Sequence, residues 1–316
     1  MKISIVIPNY NGSVLLGKNI PRLFDVLEKY VSASKNSVEV IIVDDCSQDN
    51  SLQIIEKFID QYKNHKVAIS THMTVINGGF AKTVNLGAGK ATGQYLILLN
   101  SDAYPKDDFI SASLVHFDNE KIFGVGFMDE SMESDKVVLR GRGLGAWKRG
   151  FLVHRRGEVD KSSTLWVNGG SSIFRKKYWD ILGGMDEIYS PFYWEDIDLS
   201  YRAQKSGYEV CFEKKSVVVH EHEKGAIAKT YTKDQVEAIA FRNQIIFSWL
   251  NASDAALVLS HFLWFPYHLI RFALRLDINF YKGLLGAFFL IPKVIQSRNR
   301  RKRLYTQSDQ EVIRNI

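Results

Sequence analysis

The order of elements in this sequence predicts an α/β protein. Its core would be a doubly wound, mainly parallel sheet with helices on both faces, extended at the C-terminus by amphipathic helices. Three observations predict it. Short β-rich runs alternate with helical patterns over the first hundred residues, and such alternation builds parallel sheets. Polar residues follow the ends of three of those runs. The last sixty residues are apolar at helical spacing and rich in cations.

The elements follow in chain order. Ile3 to Ile7 reads as the first strand; its apolar run is too short for a signal peptide and ends at Pro8. Leu15 to Val31 has helical periodicity, Val38 to Val43 is the second strand, and Leu52 to Tyr62 is again helical. A weaker strand, Lys66 to Ser70, precedes a Gly-rich helix start at Asn77 to Ala88 and the strand Tyr95 to Leu99. Gly141-Arg-Gly-Leu-Gly145 reads as a flexible loop. Glu195 to Ser206 has helical spacing with Gly207 placed as its C-terminal cap. The run Val217-Val-Val-His220 is a late strand ending in histidine.

Composition narrows the chemistry. A chain of 316 residues, 46% hydrophobic and 24% charged, is ordinary for a globular protein with one large α/β unit or two modest domains. The two cysteines, Cys46 and Cys211, lie far apart in no metal-type spacing, which excludes a disulfide framework and a thiolate zinc site. The net charge of +6 is unevenly spread: nine Lys/Arg face one acid between Arg271 and Arg303, so the rest of the chain sums to −2. Gly87-Ala-Gly-Lys90 is no P-loop, because Val84 stands where the first glycine is needed and Ala91 where a hydroxyl would hold magnesium. No GxGxxG follows the first strand, so a dinucleotide fold is unsupported.

In doubly wound sheets ligands bind beyond the carboxyl ends of the strands. Those ends carry Pro8-Asn-Tyr-Asn-Gly12, Asp44-Asp-Cys-Ser47 and Asn100-Ser-Asp102. One such turn is ordinary, but three on one rim make a site. Further along, "YSPFYWEDIDLSYR" sets Glu195, Asp196 and Asp198 behind a block of aromatics. Acids suit a first helical turn because of the helix dipole, and a carboxylate desolvated by neighbouring rings suits a general base.

With "VIPNYNG", "IIVDDCSQDNS", "NGGFAKTVNLGAGKATGQYLILLNSDA", "WVNGGSSIFRKKYWDILGGMDE" and "FYWEDIDLSYRAQKSGY" in that order, the chain resembles family 2 inverting glycosyltransferases of the GT-A fold. It is closest in kind to rhamnosyltransferase-like enzymes of bacterial surface-polysaccharide assembly, and the resemblance spans residues 1–225. It implies a catalytic domain over 1–250, with a nucleotide-binding half (1–105) and an acceptor-binding half (106–250). Residues 251–316 would be appended helices and a basic tail. It further implies that Asp45, with Asp44 beside it, receives the base of a nucleotide-sugar donor, and that Pro8, Asn9, Tyr10 and Asn11 line the same pocket. Asn77, Gly78 and Lys82 would meet the diphosphate through backbone N–H groups and a cation.

Asn100-Ser101-Asp102 takes the place of the family's metal-binding Asp-x-Asp. Here Asn100 offers a carbonyl but no charge, so Asp102 carries the protein's charge at a Mg²⁺ or Mn²⁺ ion. His220 matches the histidine that completes the site, with His222 as the near alternative. Asp196 aligns with the catalytic base, Glu195 would orient the acceptor, and Asp198 would pair with Arg202 one turn on. Asn168, Gly169, Gly170, Trp194 and the Gly183-Gly-Met-Asp186 turn would shape the sugar and acceptor cleft. The implied function is transfer of a sugar to a saccharide, lipid-linked acceptor. A nucleotidyltransferase and a catalytically silent sugar-nucleotide or membrane scaffold are the alternatives.

In the tail, Ala255 to Ile270 is sixteen residues without Lys, Arg or an acid, interrupted by two histidines and Pro266. Val258, Phe262, Phe265, Leu269, Phe272 and Leu276 form a stripe, and His261, His268, Arg271 and Arg275 gather on another face. With Arg298-Asn-Arg-Arg-Lys-Arg303 behind it, this describes a helix lying on an anionic membrane surface, or else a helical appendage or homodimer contact. The expected placement is cytoplasmic and peripheral, on the inner face of the cell membrane. Aromatics are not interleaved with the charges, so no nucleic acid is expected. A chain truncated before Asp254 is expected to stay soluble.

Overall fold

The computed structural model describes residues 1–133, 136–220, 227 and 230–314. His222 falls outside them. Eleven strands occur among the described residues: β1 (Lys2–Asn9), β2 (Ser37–Asp44), β3 (Ala68–Met73), β4 (Tyr95–Leu99), β5 (Ala103–Pro105), β6 (Ile122–Glu133), β7 (Lys136–Arg140), β8 (Gly143–Lys148), β9 (Phe151–Arg156), β10 (Ser171–Arg175) and β11 (Glu209–His220). The helices are α1 (Ser13–Ala33), α2 (Ser51–Tyr62), α3 (Phe80–Lys90), α4 (Ser111–Leu114), α5 (Lys176–Leu182), α6 (Glu195–Lys205), α7 (Lys233–Asn251), α8 (Ala255–Leu274), α9 (Ile278–Phe289), α10 (Ile291–Arg301) and α11 (Asp309–Arg314).

The main sheet runs β3-β2-β1-β4-β10-β6-β11-β5, with β7 paired to β6. The four strands β3-β2-β1-β4 are parallel, as the strand–helix alternation requires. Beyond them the sheet is mixed: β10 runs antiparallel to β4 and β6, and β5 to β11. Parallel pairing returns between β6 and β11, so the antiparallel contacts are those made by β10, β5 and β7. Alternation within β1 sorts the two cores: Ile3, Ile5 and Ile7 face α1 and α2, while Val6 faces α3, α5 and α6. Both faces of the sheet's centre are thus covered, which is why β1, β2 and β4 read as nearly continuous apolar runs rather than alternating.

Two expectations are corrected. Gly143–Lys148 is not a flexible loop but a strand, β8, in a separate hairpin with β9. Its glycines leave room for Trp166 and Leu165, which lie where a Cβ on Gly143 or Gly145 would stand. The tail helix also presents faces other than those expected. His261 and His268 point into the protein, where each ring nitrogen meets a carbonyl of the hairpin turn, Gly150 O at 2.8 Å and Arg149 O at 2.9 Å. Phe265, Leu269 and Phe272 pack on a third core, whereas Phe262 and Leu276 are exposed. The expected stripe is therefore split. The helix is apolar nearly all round, so the few groups needing hydrogen-bond partners set its orientation.

That third core joins Trp194, Ile197 and Tyr201 to Phe280, Leu284, Val294 and Val312, so the C-terminal helices share it with α6. Charge ties them further. Asp198, fully buried, accepts from Arg202 Nε (2.7 Å), Arg301 Nη1 (2.6 Å), Asn251 Nδ2 and Tyr189 Oη. Lys205 meets Asp309 at 2.9 Å, both fully buried. Arg298 and Arg301, expected to serve a membrane, point inward; Arg298 donates to the Trp249 and Ala252 carbonyls. Truncation before Asp254 would take Arg301 from Asp198 and Asp309 from Lys205 and uncover the third core, contrary to the expectation of a soluble remainder.

Removing one partner of a buried pair costs about 3–5 kcal/mol. Arg301→Ala should therefore lower the melting temperature by roughly 10 °C in a chain of this size, and truncation at residue 254 should yield aggregated protein. A thermal melt of the variant within about 2 °C of the parent would show that the pair is not what holds the helices.

Candidate active site

The cleft opens along the carboxyl ends of β1, β2 and β4, and Pro8, Asn9, Tyr10, Asn11, Asp45, Asn77, Asn100, Ser101 and Asp102 line it. Asn168, Gly169, Gly170, Trp194, Glu195, Asp196 and His220 line the same space, which measures about 1200 Å³. Two close backbone contacts bring these segments together. Antiparallel pairing of β10 with β4 puts Gly170 O on Asn100 N (2.9 Å), and a Cβ on Gly170 would strike the Asn100 side chain. Gly79, at φ +82°, lies so close to Pro191 that a Cβ would meet its backbone at 2.8 Å, and Phe80 N donates to Pro191 O. Glycine is required there for both reasons.

Three expected ligands do not line the cleft. Asp44 is fully buried beneath it, accepting from Asn9 Nδ2, Ser47 N and Ser47 Oγ, so it holds the first two strand-end turns together. Gly78 N is already committed to Asp45 Oδ1 (2.9 Å), as Gly79 N is to Oδ2, so neither amide is left for a diphosphate. Lys82 folds its stem over Gly78. The physical reason is that α3 starts only at Phe80, which turns the preceding amides toward Asp45. Thr74 Oγ1 also donates to that carboxylate, at 2.7 Å. Gly183 and Gly184 end α5 in left-handed conformations away from the cleft, and Asp186 is ion-paired to Arg301.

His220 stands between two carboxylates, Nε2 to Asp102 Oδ1 and Nδ1 to Asp129 Oδ2, both at 2.8 Å. Burial opposes charge on the ring, but Asp102 and Asp129 more than reverse this and raise its pKa to about 10. An imidazole whose Nδ1–H is fixed by a carboxylate presents Nε2 outward, as metal-ligating histidines do. Asn100 Oδ1, buried without a hydrogen-bond partner, faces no competing donor. Oxygen and imidazole donors of this kind fit Mg²⁺ or Mn²⁺. Among the described residues no group of three or more His, Cys, Asp or Glu is arranged to hold a metal ion by itself, so such an ion would take its other ligands from a diphosphate. Asp129 was not legible in the sequence, since it lies mid-strand and only the β6–β11 register brings it to His220.

The base helix starts from a strained turn. Tyr193 and Trp194 both have positive φ, 70° and 79°, before α6 begins. Such strain persists only where surroundings fix it, and Asn243 Nδ2 reaches the carbonyls of Tyr189, Phe192 and Tyr193 at 2.8–2.9 Å. Asp196 Oδ1 accepts from Ile197 N (2.8 Å) and Oδ2 from Gly169 N (3.3 Å). Glu195 Oε2 finds no partner. Desolvation, followed by the Asp196 charge, pushes Glu195 up to about 8, and desolvation raises Asp196 against its N–H donors. The two titrate as a pair. Both are held above the ordinary carboxylate range, and the pair resists carrying two charges at once.

Sequence reading also missed His154, Arg155 and Arg156 on the cleft wall. The His154 ring stands edge-on to Trp166 and Trp194 at 5.4 and 5.0 Å, forming an aromatic platform beside Glu195. The signal that could have found them is the strand alternation of β8 and β9, obscured there by glycine.

A profile of glycosyl transferase family 2 matches residues 4–182, more than half of the chain. The chain belongs to this family. Among curated proteins, it is 31% identical over 144 residues to poly(ribitol-phosphate) beta-N-acetylglucosaminyltransferase TarS of Staphylococcus aureus, 46% of this chain and 22% of that one. It is 35% identical over 104 residues to a poly(ribitol-phosphate) beta-glucosyltransferase of Bacillus spizizenii, 33% of this chain and 15% of that one. The match thus spans about a fifth of the length of TarS. Residues 1–349 of S. aureus TarS with UDP-GlcNAc superpose with TM-score 0.58 at 19% identity, covering 96% of this chain and 84% of that one. GalNAc-T7 with UDP, GalNAc and Mn²⁺ gives 0.62 at 17% identity, covering 81% and 48%. These likenesses establish the GT-A fold for this family 2 chain.

The raised Glu195 pKa carries a stability consequence. The folded acid titrates near 8 against an ordinary 4.5, so the fold favours the protonated form. The penalty for ionising it is absent below about pH 4.5, grows between there and about 8, and is complete above. Glu195→Gln should accordingly gain melting temperature over the parent as pH rises through that window, then hold level. A difference independent of pH would place the proton elsewhere.

Proposed function

We propose that this chain is an inverting glycosyltransferase that moves a sugar from a nucleotide-sugar donor to a saccharide hydroxyl in surface-polysaccharide assembly. The observation that carries the reading is that Asp102–His220 and Glu195–Asp196, from separate elements of the fold, line one cleft with the strand-end turns. Donor nucleotide lies along Pro8 to Asn11 and Asp45. Asp102 and His220 would hold a divalent cation, whose charge would neutralise a leaving diphosphate.

The acceptor stacks on the Trp166–His154–Trp194 platform and presents its hydroxyl to Asp196. As the acceptor oxygen bonds the anomeric carbon, its proton passes to Asp196 and the sugar–phosphate bond breaks, the electron pair leaving with the diphosphate. A single displacement of this kind inverts the anomeric centre. Glu195 orients the acceptor by hydrogen bonding. Arg155 and Arg156, exposed on the wall beside the platform, suit an acceptor that carries phosphate, the chemistry named for the two relatives above.

Asp196→Asn should retain donor binding and lower turnover a hundredfold or more, about what a general base contributes; turnover near the parent's would remove Asp196 from the mechanism. The product's anomeric configuration, read by NMR, should be opposite to the donor's. Asp102→Ala should abolish the extra thermal stabilisation that Mn²⁺ gives in the presence of nucleotide sugar. An equal shift in parent and variant would dissociate Asp102 from the metal.

A further inference from the structure

We infer that the outward face of α8 and α9 lies on an anionic phospholipid bilayer, entering its surface without crossing it. The inference rests on the proposed function only for its purpose, which is to hold the acceptor end of the cleft near lipid-linked substrate. The face is unusually apolar. On α8 it presents Leu259, Phe262 (71% exposed), Leu263, Ile270 and Leu274, and on α9 Leu285, Phe288 and Phe289 (77%). Contiguous exposed apolar surface of this extent marks a site of interaction.

The charge around it selects the occupant. Arg271 and Arg275 stand beside Ile270 and Leu274, Lys282 and Lys293 follow on α9 and α10, and Asp277 is the one acid between Asp254 and residue 303. Asp277 is turned to the Phe280 amide as the cap of α9. A surface that is apolar in the middle and cationic at its margins matches anionic headgroups over acyl chains. A second copy of the same face would instead set cation against cation. At the margin, Arg149 bonds Tyr267 Oη at 2.7 Å and lies over the Tyr267 and Trp264 rings at 4.9 and 5.3 Å. Half-exposed Trp and Tyr with a cation are the side chains that settle at headgroup level.

The same contacts explain why α8 lies rather than spans. It is long and apolar enough to cross a membrane. Yet His261 and His268 are bonded to the β8–β9 turn, and Phe272 stacks on Phe280 at 4.1 Å. A spanning helix would have to leave all of these. The hairpin also links the two surfaces: its turn, Arg149-Gly150, touches α8, and its far end, Arg155-Arg156, lines the cleft. Four strand residues, Phe151 to His154, lie between them, a span of roughly 16 Å from Gly150 to Arg155, the reach of a few sugar rings on a lipid.

The test is co-sedimentation of the full chain with vesicles of phosphatidylcholine, with and without about one third phosphatidylglycerol. Donor hydrolysis is measured on the same samples. The parent should bind the anionic vesicles, and bind neutral ones more weakly. Phe262→Asp with Phe289→Asp, and separately Arg271→Glu with Arg275→Glu, should each lower binding about tenfold or more while hydrolysis is unchanged. Added salt should weaken the parent's binding but spare its apolar part. Absence of vesicle binding, or binding that both double variants retain, would overturn the inference. So would resistance to alkaline carbonate extraction, which means a spanning helix, or a dimer that the Phe variant splits while no vesicle binding is seen. Vesicle binding in a parent that hydrolyses no donor would leave the docking face intact and count against the transferase reading alone.

Discussion

The buried carboxylate of Asp198 is the constraint on which the active-site half depends. Two guanidiniums, an amide and a phenol converge on it from four separate segments. A carboxylate taken out of water is costly unless fully partnered, so the four must arrive together. Burial would raise its pKa, but Arg301 and Arg202 hold it below the usual carboxylate range. Asp198 lies two residues beyond Asp196 on α6, and whatever fixes the one fixes the other. The C-terminal helices are thereby part of the catalytic unit's stability, although they supply no group to the cleft.

From that anchor the geometry runs outward. Tyr189, bonded to Asp198, begins the aromatic loop; Asn243 holds the loop's carbonyls; Pro191 receives Phe80 N. This chain of contacts ties the base helix to Asp45 through Gly78 and Gly79. Nucleotide and acceptor walls are therefore set by direct backbone contact rather than by a hinge. The positive-φ pair Tyr193–Trp194 stores the strain that aims α6 at the cleft.

Electrostatics divides the cleft into two regimes. Around His220, opposite charges stand in contact and favour the protonated ring, so a divalent cation on Nε2 would displace that proton. Around Glu195 and Asp196, like charges share a desolvated turn and resist ionising together. Pairs whose environments push their pKa values apart are those that divide acid and base roles. The aromatic platform and the two exposed arginines lie on the second side, where an acceptor would enter.

Much of this was legible in the chain. Short apolar runs placed β1, β2 and β4, and period-3.6 patterns placed α1, α2 and α6, within a few residues, because each signal is local to its own stretch of chain. The strand-end turns and the Glu195–Asp196 pair were legible because loop residues that bind must be polar. What the sequence could not decide depends on contacts between distant segments. Gly78, Asp44 and Lys82 look like ligands until one sees that Asp45 claims the Gly78 amide, that Asn9 and Ser47 occupy Asp44, and that Lys82 lies back on Gly78. Asp129 looks like an ordinary strand acid until register sets it beside His220. The tail shows the same limit most plainly. Its composition determined that it would be helical, apolar and basic, but a helix apolar on nearly every side has no preferred face of its own. Hydrogen bonds from His261 and His268, and the pull of Asp198 on Arg301, chose which side turned inward, and only the tertiary structure contains those partners.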